Sequence, residues 1–213
     1  MTDTPAETDS SRSQRDAAHS TPILVLASAS PRRRQLLREA GYEFTVQPAE
    51  IDEEKHPPGL LPVELARFLA LEKARVVAAA CPDRAVLAAD TVVALGDRPL
   101  GKPADAAEAR RMLTLLSGTT HIVITAVALL WRSAGIEQAC TAMTAVRMRA
   151  LTPREIDEYV ASRLWEGKAG GYGIQDHDPF VTRMAGSHTN VVGLPMEITR
   201  EMLSSAGIRP REG

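Results

Sequence analysis

The sequence predicts an α/β fold with a mixed, twisted sheet and flanking helices. Two observations carry that prediction. Apolar strand-like runs interleave with helix-patterned segments, and two long strand-like runs flank the short turn "RSAG", which adds a hairpin to an otherwise alternating order. A regular doubly wound sheet would lack that hairpin. With 213 residues, 44% of them apolar, the chain can bury a sizeable core in one domain, or in two closely fused lobes.

Residues 23–27 are a short apolar run of buried-strand type. Ser30 then reads as an N-cap, Pro31 as the first helical residue and Gly41 as the stop. Thr45 and Val46 suggest a second short strand before the acidic stretch "AEIDEEK". A long helix over 63–80 places Leu65, Phe68, Leu69, Val76 and Val77 at helical spacing, and Pro82 ends it. "AVLAADTVVAL" (85–95) is a buried strand. Gly96-Asp97 turns it back as a hairpin or a looser loop. A helix over 106–117 has Asp105 as cap and Gly118 as stop. Strands follow over 121–131 and 137–149. Thr152-Pro-Arg-Glu155 is a capping box opening a helix to about residue 162, and Pro195 opens a last helix stopped by Gly207. No element is assigned to "EGKAGGYGIQDHD", "FVTRMAG" or "TNVVGLP".

Composition narrows the function. A formal net charge of −2 supplies no broad field for a nucleic-acid backbone, so an anionic ligand must be held by local clusters. Cys81 and Cys140 are too few for a disulfide framework and suit a reducing compartment. No run approaches the roughly 18 apolar residues of a membrane span. Residues 1–20, rich in Thr, Ser, Asp, Arg and Ala, read as a disordered tail rather than a signal peptide, with a single domain over 21–213. The five histidines show no zinc-ligand spacing.

Four places could carry chemistry. In "LASASPRRRQLL", Ser28, Ser30 and Arg32 to Arg34 sit at a strand-to-helix corner, where free N–H groups and the helix dipole favour an anion. Read alone, the corner is a phosphate cradle or a capped helix with a solvated basic face. Arginines in a first turn oppose the dipole, which a bound anion would relieve. Asp90 is the sharper signal, because a carboxylate inside an apolar strand needs a partner, a metal or a wet end. It reads as a metal ligand or general base. The run Glu50, Asp52, Glu53, Glu54 is a solvated loop or a second oxygen ligand for a hard cation. Lys73 and Lys102 are surface lysines or charge partners, with Lys102 fixed in the tight "LGKP". The glycines of "GKAGGYGIQD" permit close backbone approach to a ligand, and the Gln175 amide could read a base edge.

Together, "LASASPRR", "IDE", "EKA", "ADTVV", "LGKP", "LSG", "ITAV", "KAGGYGIQ" and "VVGLP" resemble, in order, the motifs of the Maf proteins, nucleoside triphosphate pyrophosphatases. The resemblance runs from Ile23 to about Arg200. It implies two lobes around a cleft, as in the inosine-triphosphate pyrophosphatases, and a cytoplasmic, commonly homodimeric enzyme using a divalent cation, Mg²⁺ or Mn²⁺. Matched motif by motif, the catalytic base falls on Asp90 and its acidic partner on Glu53, the pair that would hold the metal. Phosphate-side residues fall on Ser28, Arg33, Lys73 and Lys102. The specificity trio of the dTTP/UTP branch falls on Arg32, Thr91 and Gln175. The family usually continues "IQG", whereas this chain has "IQD", placing the charge of Asp176 beside the base pocket. The implied substrate is a nucleoside triphosphate, with no nucleic-acid or membrane partner. The alternative is a nucleotide-binding regulator of septum formation with little turnover.

Overall fold

The computed structural model describes residues 23–174 and 180–211. The tail over 1–20 and Gln175 with Asp176 therefore lie outside the described residues.

Among the described residues, seven strands form one mixed sheet: β1 (Leu24–Leu26), β2 (Phe44–Val46), β3 (Ala85–Leu95), β4 (Arg98–Leu100), β5 (Thr120–Trp131), β6 (Ile136–Met148) and β7 (Val181–Ala185). The order is β2-β1-β3-β5-β6-β7, with β4 paired to β3 as well. β1 is parallel to β2 and β3, and the remaining pairings are antiparallel. Gly96 turns with φ +60°, so the β3–β4 connection is the hairpin rather than the looser loop. The β5–β6 hairpin around "RSAG" also forms as predicted.

Helices α1 (Pro31–Glu39), α2 (Pro62–Ala80), α3 (Ala106–Leu116), α4 (Pro153–Ala161), α5 (His188–Val192) and α6 (Met196–Ser205) flank the sheet. Their local signals operate as the sequence suggests. Ser30 accepts from the Arg33 N–H, Asp105 from Glu108, and Thr152 and Glu155 cap each other. β7 and α5 occupy stretches the sequence left unassigned. A β-bulge at Arg147/Met148 interrupts the β6–β7 register. Ser187 caps the single short turn of α5 and Gly193, at φ +115°, ends it.

Helix α2 packs differently from the stripe predicted for it. Leu69 and Val77 are buried, but Val76 is 45% exposed. The face against the sheet is an alanine ridge, Ala66, Ala70, Ala74 and Ala78, packed on Val86, Ala88, Val92 and Ala94 of β3. Small side chains let helix and sheet approach closely, and that rotation carries Val76 outward. It also carries Lys73 inward.

The opposite sheet face has two cores. One joins Leu24, Leu26, Leu87 and Ala89 to Leu37 of α1 and to Met202 and Leu203 of α6. The other joins Val93 and Val123 to Met112 and Leu113 of α3 and to Ile156 and Tyr159 of α4. Thr91 and Thr125, with Asn190 of α5, form a polar seam between them.

One feature of the sheet positions the site. On one side of β3, pairing to β1 ends at Leu87 and pairing to β4 starts at Val93. No strand among the described residues pairs with 88–92 on that side. The chain leaving β1 enters the Ser28–Ser30 corner at this gap.

Candidate active site

The gap opens into a cleft of about 480 Å³, whose lining includes Ser28, Arg32, Arg33, Glu53, Lys73, Asp90, Thr91 and Lys102. Every described site residue expected from the sequence is there; Gln175 lies outside the described residues, and Ile174 before it lines the wall. The cleft touches both faces of β3 at the open edge, since successive strand residues point to opposite faces.

Asp90 points to the α2 face and is 5% exposed. Its charge has a partner: Lys73 Nζ lies 2.5 Å from Asp90 Oδ1 and 2.8 Å from Glu53 Oε1. Lys73 is itself 7% exposed. It is not the surface lysine its residue type suggests. Lys102 Nζ reaches both Glu53 oxygens, at 2.9 and 2.8 Å, from a half-exposed position. The result is an alternating chain, Asp90–Lys73–Glu53–Lys102. Burial alone would raise Glu53, but attraction to Lys73 and hydrogen bonds from Lys102 and Lys73 outweigh it and bring its carboxyl down to about 2. Of the acidic run, only Glu53 lines the cleft.

Arg33 ties the other side together. Its Nη1 donates to the Ala89 carbonyl at 2.7 Å and to Ser28 Oγ at 3.3 Å. Nε donates to the Gly193 carbonyl at 2.7 Å, and Nη2 donates to Thr91 Oγ1 at 3.1 Å. The Ala89 carbonyl is one that the sheet gap leaves without a strand neighbour, so Arg33 supplies the missing donor. Burial lowers the basicity of this guanidinium, with Asp90 acting in the opposite sense. Arg32 lines the cleft and donates to the Gly167 carbonyl at 3.2 Å, while Arg34 is not part of the lining. The corner is thus a capped helix and a wall of the cleft at once.

The glycine-rich segment is the facing wall. Gly170, at φ +70°, packs so tightly on Val93 that an added Cβ would stand 3.0 Å from its side chain. Close approach at that glycine serves packing of the wall rather than ligand contact. Tyr172 lines the cleft, and its hydroxyl lies 2.6 Å from His121 Nε2. Burial lowers the His121 imidazole to about 4 and raises the Tyr172 phenol. The sequence reading missed this pair, and with it Thr125 and Asn190. Thr125 carried a usable signal, being a hydroxyl inside the apolar run of β5, as Asp90 is a carboxylate inside β3.

Glu53 and Asp90 converge on one ammonium, so their oxygens are close enough to share a cation. A two-carboxylate set fits Mg²⁺ or Mn²⁺, which commonly complete their shells with substrate phosphates and water. Among the described residues, no group of three or more His, Cys, Asp or Glu forms an all-protein cage.

Comparison with known proteins agrees with the sequence resemblance. The family model described as "Maf-like protein" matches residues 23–206. A dTTP/UTP pyrophosphatase of Moorella thermoacetica is 49% identical over 188 residues, covering 87% of this chain and 95% of the relative. One from Caulobacter vibrioides is 49% identical over 193 residues, covering 89% and 98%. Among solved structures, the Ham1 protein of Staphylococcus aureus aligns with a TM-score of 0.42 and 14% identity over 59% of this chain and 71% of that one. The last likeness is too slight to bear weight. The family match spans nearly all the described residues, and the sequence relatives are near half identity over almost their full lengths: the chain belongs to the Maf family.

Proposed function

We propose that the protein hydrolyses nucleoside triphosphates, dTTP and UTP foremost, to the nucleoside monophosphate and pyrophosphate. A buried aspartate on the open edge of β3, held by Lys73 in the chain to Glu53 and Lys102, is the observation that carries this reading. In the reaction, water attacks the α-phosphorus and a new P–O bond forms. The bond from that phosphorus to the α–β bridging oxygen breaks, and pyrophosphate leaves with the electron pair. Asp90 accepts the water proton. Lys73 and Lys102, together with the Ser28–Arg33 corner, offset the charge that grows on the leaving group.

Glu53 and Asp90 would hold the divalent cation, whose contribution is to neutralise phosphate charge and orient the triphosphate. In the working form the protein is a cytoplasmic homodimer, as the family resemblance implies. Gln175 and Arg32 belong to base recognition with Thr91.

The test is a panel of ordinary and modified nucleoside triphosphates with Mg²⁺ or Mn²⁺, scored separately for pyrophosphate and orthophosphate. We expect pyrophosphate, with dTTP and UTP ahead of 7-methyl-GTP. Release of orthophosphate would mean attack at the γ-phosphorus and defeat the reading. Tight binding without turnover would instead favour a regulator of septum formation.

A further inference from the structure

We propose that Thr125 and the Asn190 carbonyl set the direction of a hydroxyl chain that presents Thr91 to the cleft as a hydrogen-bond acceptor. The site thereby selects a base whose ring edge carries an N–H over one that carries a lone pair there. The proposal rests on the reading that the cleft binds a nucleotide. It adds two residues, Thr125 and Asn190, and a direction to the recognition side of that reading.

The direction follows from hydrogen-bond chemistry at the two ends. Arg33 Nη2 lies 3.1 Å from Thr91 Oγ1, and a guanidinium can only donate, so Thr91 accepts there. Thr125 Oγ1 lies 3.0 Å from the Asn190 carbonyl, which can only accept, so Thr125 commits its one proton to it. The two hydroxyls are 3.0 Å apart. With its proton taken, Thr125 must accept from Thr91. The Thr91 proton therefore points inward, and a single lone pair of Thr91 remains for a ligand.

The surroundings hold this arrangement in place. Thr125 and Asn190 are fully buried. Asn190 Nδ2 donates to the Val123 carbonyl at 3.0 Å and to Thr144 Oγ1 at 2.9 Å, which fixes α5 against β5 and β6. Gly193 keeps the Thr91 oxygen uncovered, since a Cβ there would stand 3.3 Å from it. The lining that includes Thr91 also includes Val93, Val123, Val191, Val192 and Tyr172, apolar surface that suits a flat ring. Uracil, thymine and guanine carry a ring N–H donor on their pairing edges. Cytosine and adenine carry a ring nitrogen lone pair at the equivalent position, and two facing lone pairs repel.

The experiment is equilibrium binding of α,β-methylene UTP and α,β-methylene CTP, which are not cut at the α–β bond, to the full chain and its variants. The wild type should prefer the UTP analogue. Thr125→Val removes the inner acceptor and frees the Thr91 proton to point outward. The Asn190 carbonyl keeps a partner there, the Gly193 N–H at 3.0 Å. The UTP-over-CTP preference should fall by about tenfold, the scale of one hydrogen bond to a buried edge. Thr125→Ser, which restores the hydroxyl, should recover it. Melting temperature checks folding, and Thr125→Ala replaces the valine variant if that variant does not fold.

Equal weakening of both analogues would reduce Thr125 to a structural role and overturn the proposal, as would an unchanged ratio or a wild type without preference. None of those results touches the pyrophosphatase reading. A wild type that binds neither analogue removes that reading and the proposal together. Selective binding by a protein that releases no pyrophosphate removes only the hydrolytic reading.

Discussion

Asp90 and Thr91 are consecutive residues of one strand, yet they serve two regions held together by different physics. Asp90 belongs to a chain of alternating charges running through Lys73 and Glu53 to Lys102. Thr91 belongs to a chain of hydroxyls and carbonyls, bounded by Arg33 and Asn190. Strand alternation places them on opposite faces, and the interrupted edge of β3 lets one cleft reach both. Charge pairs act through strength and suit a polyanion whose charge changes during reaction. Hydroxyl chains act through direction, because each link has one proton, and suit the reading of a base edge. The difference teaches how one strand can bring reaction and recognition within a single residue of each other.

The most severe test of that division is Asp90→Asn. Turnover should fall by about 10²–10⁴-fold, the range for a general acid–base group. The loss should be the same for every nucleotide, leaving the UTP-to-CTP ratio intact. Near-normal kcat in the presence of Mg²⁺ would remove Asp90 from the reaction. A large change in base preference would mean the two regions are not separate.

Next comes a contrast inside the charged region. Lys73 and Lys102 bind the same carboxylate, but Lys73 is buried beside Asp90 and Lys102 is half exposed. Lys73→Met strands a buried carboxylate and should cost about 3–5 kcal/mol of stability. Lys102→Met breaks a pair that water screens and should cost less than about 1 kcal/mol. Denaturant unfolding of both variants measures the difference. Equal costs would show that burial of the Lys73–Asp90 pair does not govern the strength of this chain.

What the sequence made legible follows the same division between local and distant causes. Ser30 before Pro31, Asp105 before α3 and Thr152 with Glu155 are caps whose partners lie three residues away, so pattern alone found them. Asp90 stood out because its neighbours were apolar. Lys73 was less plain, although it sits four residues from both Leu69 and Val77, on the buried stripe of α2. The family motifs, rather than its spacing, singled it out. Thr125 and Asn190 escaped because their roles depend on contacts made across the sheet: Asn190 meets residues 65 and 67 positions away in the chain. Helix α5 escaped for a related reason. A five-residue helix has too little periodicity to register.

The smallest expected effect separates the two regions by pH. Tyr172 stands on the recognition side, and its hydroxyl is paired with a neutral, fully buried His121. In the unfolded chain an imidazole titrates near about 6.5, whereas burial holds this one down to about 4. As pH falls from about 6.5, the unfolded state takes up a proton that the folded state refuses, so stability decreases with pH until the folded imidazole also titrates. His121 thus contributes fully above about pH 6.5 and loses its contribution towards pH 4, a total on the order of 3 kcal/mol. Glu53 behaves in the same sense but in a lower window. Its folded value of about 2 lies below the ordinary 4.5, so its contribution declines only under about pH 4.5, and its exposure reduces the size. Between pH 6.5 and 4.5 the folded His121 stays neutral and keeps its contact with Tyr172, so the loss falls on global stability through the unfolded state, while the contribution of Glu53 holds. Denaturant unfolding across that interval should show falling stability in the wild type and a flatter profile in His121→Gln. An identical slope in the variant would assign the acid sensitivity to other groups. The burial of His121 beside Tyr172 would then have no part in the acid sensitivity of the fold.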